Sequence, residues 1–306
     1  MGHRWPPLPY EEWSDTCDTI HAHTQVLGKL AVALAPPEPQ LQHAALRLTA
    51  RGWETLPLPA PDGSGAFVAI MDLQRHEAVV EHGDGRSHRV PFGPDRPVGE
   101  VTRQVMEAVQ SLAGAVEINP QPQEVGWTVP LDEDDEHRNY DPAAVSTYLA
   151  AATRAALVLA KLRAPYRGRS SPVNAWWGSF DLSVSLYSGL PADPPSSDFI
   201  ARNSASAQQI EVGWWPGDPR YPRAAFYAFA VPAPPSFSEG RVSPEAGGWN
   251  ADLGEFVLDW DDVVSNDDPF DAAVEFGRSV VAHACTACDW DPSLAASAQG
   301  VPPAVT

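Results

Sequence analysis

The chain has 306 residues, enough for one large domain or two ordinary ones, with 43% hydrophobic and 20% charged residues. Forty acidic against 20 basic residues leave a net charge of −20, which repels nucleic acid phosphates and anionic membrane surfaces. Three cysteines make no disulfide framework, no apolar run approaches the roughly 18 residues of a membrane span, and the N-terminus lacks a signal-peptide apolar core; a soluble, cytoplasmic protein is expected.

Ser14 or Asp15 can cap a first helix running through Cys17, Ile20, His21 and Thr24. Residues 30–34 then read as a strand ended by Pro36-Pro37. Further strands are expected at 45–49, 67–73, 78–81 and 88–92, with Gly83-Asp84-Gly85 supplying the positive-φ positions of a tight turn. Val101, Val105, Val109 and Leu112 give residues 98–113 a helical period. Residues 119–130 form a proline-rich connector, followed by an acidic run at 132–136 that reads as solvated. Asp141-Pro142 is a strong helix start, a capping side chain followed by proline at the first helical position, and the helix should reach about Arg163.

The second half repeats the order, with strands expected at 176–187, 209–215, 224–231 and 255–258 and a closing helix near 271–285. The expected class is α+β: two related helix–antiparallel sheet–helix modules packed into one compact unit, residues 1–120 and 131–290, with a disordered tail at 291–306.

The stretch Trp176 to Tyr187 carries the most information. Read as one strand with a period of two, it sets Trp176, Gly178, Phe180 and Leu182 on an apolar side and Trp177, Ser179, Asp181, Ser183, Ser185 and Tyr187 on a polar one. A Ser/Asp row between two aromatics suits a pocket wall better than a solvent face. Glu211 and Glu255 also lie opposite apolar stripes, and Glu211 shares its face with Trp215. Carboxyl groups brought together in an aromatic cavity have separated pKa values, one acting as acid and another as base. On this reading Asp181 is buried beside polar groups, Asn174 nearest among them.

Other patterns carry less. Cys17 and His21 share a helix face but want a third ligand, and His283-Ala284-Cys285-Thr286-Ala287-Cys288 reads as buried thiols on a helix. Phosphate loop, dinucleotide fingerprint, nucleophile elbow and His-Glu-x-x-His are all missing from the sequence.

Several ordered segments resemble a bacterial family known as domain of unknown function 5996: Trp5-Pro6-Pro7-Leu8-Pro9-Tyr10, Cys17-Asp18-Thr19-Ile20-His21, Thr49-Ala50-Arg51-Gly52 and Tyr140-Asp141-Pro142. Ser170-Ser171-Pro172-Val173, Trp177-Gly178-Ser179-Phe180-Asp181-Leu182, Trp215-Pro216-Gly217 and Gly254-Glu255-Phe256 extend the resemblance to nearly the whole chain. It implies a shared fold and no particular activity. The family pattern implies a histidine after Ser-Ser-Pro-Val and a Ser-His-Glu run before Trp-Pro-Gly, where this chain has Asn174 and Ser206-Ala207-Gln208. Asn and Gln are poor transition-metal ligands, so the expectation is a diverged member with no metal and no cofactor.

Together these readings predict an enzyme of specialised metabolism performing isomerase, cyclase or lyase chemistry on a small apolar or aromatic substrate. Asp181, Glu255 and His21 are the expected acid/base residues; Asn174, Trp177, Ser179, Glu211, Trp215, Tyr227 and His137 are expected to hold the substrate. Rival readings are a metal-dependent enzyme around His21 and His137, and a binding protein without turnover. The expected partners are a small molecule and a second copy of the chain, and neither nucleic acid nor membrane.

Overall fold

Two meandering antiparallel sheets, each followed by a long helix, organise the computed structural model, which describes residues 5–197 and 199–295. Helix α1 (Ser14–Leu34) opens the chain, and a 3-10 turn, Pro39–Ala44, leads into β1 (Arg47–Thr49) and β2 (Gly52–Glu54). Strands β3 (Leu58–Pro59), β4 (Ala66–Asp72), β5 (Glu77–His82) and β6 (Ser87–Pro91) complete the first sheet, ordered β1-β2-β4-β5-β6 with β3 on β4. Helix α2 (Val98–Ala113) closes this half, and α3 (Pro142–Arg163) opens the next. The Asp141 carboxylate accepts from the Ala143 amide at 2.8 Å, with Pro142 at the first helical position, as the sequence predicts.

The second half holds β7 (Asn174–Trp176), β8 (Asp181–Pro191), α4 (Phe199–Ser204), β9 (Ala207–Trp215), β10 (Ala225–Val231), β11 (Gly248–Asn250) and β12 (Glu255–Asp259). It ends with α5 (Trp260–Ser265), α6 (Pro269–Ala287) and α7 (Pro292–Ala295). The sheet order is β11-β12-β10-β9-β8-β7, and every pair is antiparallel, as the hairpin-length connections require. The class is α+β. Reciprocal bonds of 3.0 Å between Leu46 and Ala175 join the two sheets, and one apolar core runs through both halves.

Three expectations are corrected. Residues 30–34 are the last turns of α1, because Leu30 and Ala31 continue its buried face and no breaker intervenes before Pro36. The acidic run is not wholly solvated: Asp134 is 2% exposed, and its carboxylate accepts from the Glu136 and His137 amides at 2.9 and 3.0 Å, closing a turn. The expected tail begins with the helical turn α7 after a buried Trp290, and residues 296–306 lie outside the described residues.

By length and composition α3 could cross a membrane, contrary to the sequence reading, with a mean hydropathy of 1.5 over its best window. Its Val145, Tyr148, Ala152, Ala155 and Leu159 are buried against the second sheet and α6, which is the packing of a core helix. Cys17 and Cys285 are buried free thiols, Cys288 is partly exposed, and His283 meets the Phe237 carbonyl at 2.8 Å.

Candidate active site

The strand expected at 176–187 is broken, and the break builds the site. β7 and β8 form a hairpin joined by Trp177-Gly178-Ser179-Phe180, with Trp176 paired to Asp181 and Asn174 to Ser183. Phe180 has φ 57°, a strained value for a bulky residue. The surroundings hold it there: its ring stacks on Trp53, Tyr148 and His21 at 5.1, 5.2 and 4.9 Å between centroids. His21 Nε2 lies 3.0 Å from both the Trp177 and Gly178 carbonyls. Two acceptors require the proton on Nε2, so His21 donates to both and pins the turn. Burial lowers its pKa to about 4, leaving it neutral.

The turn reverses the chain just before Asp181, so the two tryptophans exchange the faces that strict alternation assigns them. Trp176 lies on Asp181's face and donates from Nε1 to Ser183 Oγ at 2.9 Å. Trp177 is in the core, donating to the Ala44 carbonyl at 3.0 Å. Trp177 is therefore no wall of the site.

Register across the sheet brings the carboxyl groups together. Ser183 stands opposite Gly213, which stands opposite Tyr227 and then Val257; Ser185 stands opposite Glu211 and then Phe229. Glu255, two residues before Val257, occupies the same face. The face is sunk below the surface: Asp181, Ser183 and Ser185 are 5%, 0% and 3% exposed, while Glu211 and Glu255 are partly open. The Asp181 carboxylate accepts from Ser179 and from the Tyr227 hydroxyl. Glu211 accepts from Ser183 at 2.8 Å and Ser185 at 3.1 Å.

Burial raises the Asp181 pKa to about 6 against the two hydroxyl bonds that lower it. Burial, then the charge of Asp181, raises Glu211 to about 7 against its two serine bonds. Glu255 also reaches about 7, through burial and then the charges of Asp181 and Glu211, opposed by Arg220. The three groups titrate as a set, with apparent values between about 6 and 7.

Gly213 gives the Tyr227 ring its place. A Cβ there would lie 2.3 to 2.4 Å from the ring and its hydroxyl oxygen. Gly213→Ala is expected to displace the phenol from Asp181 and raise the Asp181 pKa further, by about one unit for the lost bond. A carboxyl NMR titration measures it; an unmoved Asp181 would sink the assignment.

Of the other expected residues, Trp215 and Tyr227 share the face with ring centroids 5.5 Å apart, and Ser179 stands exposed at its rim. Asn174 does not reach Asp181: it accepts from Arg47 at 2.6 Å and donates to Gln42 at 3.0 Å. His137 bonds the Asp134 carboxylate at 2.7 Å, and both His21 and His137 pack on the Trp127 ring, away from the three carboxyl groups. Burial works against the His137 charge, but the Asp134 bond and neighbouring carboxylates leave its pKa raised. An open depression of about 530 Å³, lined by Asp271, Glu275 and Arg278, lies elsewhere on α6.

Sequence reasoning sets Ser183 and Ser185 on the polar face without giving them a role, and misses Trp176 and Glu124 as members of the site. The serines follow from the same alternation that marks Asp181. Trp176 requires knowledge of the turn, and Glu124 comes from the connector, where its carboxylate lies where a Gly178 side chain would go.

The fold and site define an α+β protein with a sunken carboxyl cluster on one sheet face. The chain belongs to DUF5996, a family of unknown function, which it matches over residues 5–297. No curated protein and no solved structure matches it.

Proposed function

We propose that the protein is an acid/base enzyme that moves a proton on a small molecule held against the outer face of the second sheet. The observation that carries this reading is the convergence of Asp181, Glu211 and Glu255 from three strands, with pKa values raised to about 6, 7 and 7. Near neutral pH the carboxylate of Asp181 accepts a proton from a substrate C–H. Glu211, protonated up to about pH 7, delivers one to another substrate atom, and both groups reset by exchange with water. Such a step performs an isomerisation, and with a leaving group or a second carbon centre it performs an elimination or a cyclisation. Trp176, Trp215 and Phe229 supply the apolar contacts for an aromatic or largely apolar substrate.

Deuterium uptake by aromatic carbon acids such as phenylacetone, incubated with the protein in D2O, tests this directly. Wild type is expected to accelerate exchange. Asp181→Asn keeps the volume but cannot take up a proton, so it should lose about 100-fold or more while the protein stays folded. Full activity in the variant, or carboxyl groups that titrate near 4, would overturn the reading.

A further inference from the structure

The polar row on β8 runs past Glu211's partner Ser185 and ends at Tyr187, whose cross-strand partner is Gln209. Both side chains are buried, at 2% and 4% exposure. Among the described residues neither the Tyr187 hydroxyl nor the Gln209 amide oxygen has a hydrogen-bond partner. A buried polar atom left unpaired is costly, so two on facing strands mark a place that something else completes. The Ser185 hydroxyl, which donates to Glu211, lies near Tyr187 but outside hydrogen-bond geometry with its hydroxyl. Over the Tyr187 ring, 3.6 Å from its centre, lies the exposed guanidinium of Arg169, which donates through one nitrogen to Gln40 Oε1 at 2.7 Å.

Charge is distributed unevenly along the chain. From residue 142 to residue 180 the chain has no Asp or Glu and five basic residues, Arg154, Lys161, Arg163, Arg167 and Arg169, within a protein of net charge −20. Arg47 donates to Asn174, and burial lowers its pKa, opposed by the Glu38 charge and helped by that of Arg163. Of these basic residues, Arg163, which donates to Ser170, and Arg169, whose carbonyl accepts from the Tyr187 amide, stand beside the Tyr187 end of β8.

We propose that Arg169, Tyr187 and Gln209 form an oxyanion subsite that takes a carboxylate or phosphate-ester group of the substrate. The guanidinium fork, the phenol O–H and the amide N–H of Gln209 after rotation of its side-chain amide supply converging donors. A neutral hydroxyl or amide would satisfy Tyr187 and Gln209 but leave the arginine unused. The subsite begins two residues along the strand from the Ser185–Glu211 pair, about 7 Å away. That spacing keeps the anion clear of the acid/base carboxyls and sets the reacting carbon between Asp181 and Glu211. The identification of a substrate group rests on the acid/base reading above, whereas anion binding itself does not.

Titration with benzoate, phenyl phosphate and the neutral benzyl alcohol, followed by protein NMR at low salt, tests it. At least one anion is expected to bind and benzyl alcohol is not, with affinity falling as salt is added. Which anion binds tells a carboxylate from a phosphate. Arg169→Gln, at an exposed position, and Tyr187→Phe should each weaken binding about tenfold or more, with the melting temperature checked for each. Arg278→Gln on α6 should leave it unchanged. Absence of binding up to about 10 mM, equal binding of benzyl alcohol, or undiminished binding in Arg169→Gln would each overturn the proposal. Asp181→Asn separates the two readings: it should abolish proton exchange and retain the anion.

Discussion

Glu211→Gln is expected to stabilise the protein by about 3 kcal/mol at pH 8 and by nothing measurable at pH 4. Folding raises the Glu211 pKa from an ordinary 4.5 to about 7, so the folded state holds its proton more tightly than the unfolded chain does. Below about 4.5 both states are protonated and the group costs nothing. As pH rises the unfolded chain ionises first, and the stability associated with the protonated form is lost through about pH 7. Above that the full cost of a buried, Asp181-repelled carboxylate is present, and glutamine avoids it, its carbonyl oxygen accepting from one of Ser183 and Ser185 and its NH2 donating to the other. The gain corresponds to a rise in melting temperature of about 6 °C at pH 8.

The comparison must be between variant and wild type at each pH. Burial depresses the buried His21 and His23 to about 4 and about 3, so their contribution has the opposite sign: it is present above pH 6.5 and lost as pH falls. Equal stabilisation at pH 4 and pH 8 would show that Glu211 titrates normally. A stability gain at the cost of proton exchange is what a site kept unfavourable for its chemistry should give.

How far the sequence reaches depends on whether the signal is local. Asp141-Pro142, the valine period of α2 and the Gly83–Gly85 turn act within a few residues, and the structure follows them. Asp181, Glu211 and Glu255 were legible as carboxyls opposite apolar stripes, because alternation survives within each of β8, β9 and β12. The turn at Trp177–Phe180 was not legible. Its left-handed Phe180 is imposed by rings from Trp53, Tyr148 and His21, and by the His21 bond to two carbonyls, none of them near in sequence. Period two therefore ran straight through a reversal and exchanged Trp176 with Trp177. The strand expected at 30–34 failed for a related reason: β-branched propensity at Val32 is weak against a helix already buried along Val26, Leu27 and Leu30.

Gly28→Ala tests how tightly that turn is held, and it should destabilise the protein by about 3 kcal/mol or more. In an ordinary helix interior the same change would stabilise by about 1 kcal/mol, so the sign itself is diagnostic. A Cβ on Gly28 would fall 2.0 to 2.2 Å from three atoms of the Trp177 indole, far inside contact distance. The ring cannot step aside cheaply, since its Nε1 is bonded to the Ala44 carbonyl and Lys29 lies 5.4 Å over its face. Moving α1 instead would pull His21 from the Trp177 and Gly178 carbonyls it bridges. Either relaxation acts on the turn that delivers Asp181, so the surviving folded fraction should also show an altered Asp181 titration. Combining Gly28→Ala with Trp177→Leu removes the clash, and the double variant should be less destabilised than the sum of the two single changes. Urea denaturation of the four proteins measures this. A neutral or stabilising Gly28→Ala, or strict additivity in the double variant, would mean that α1 and the turn are not locked together through this contact.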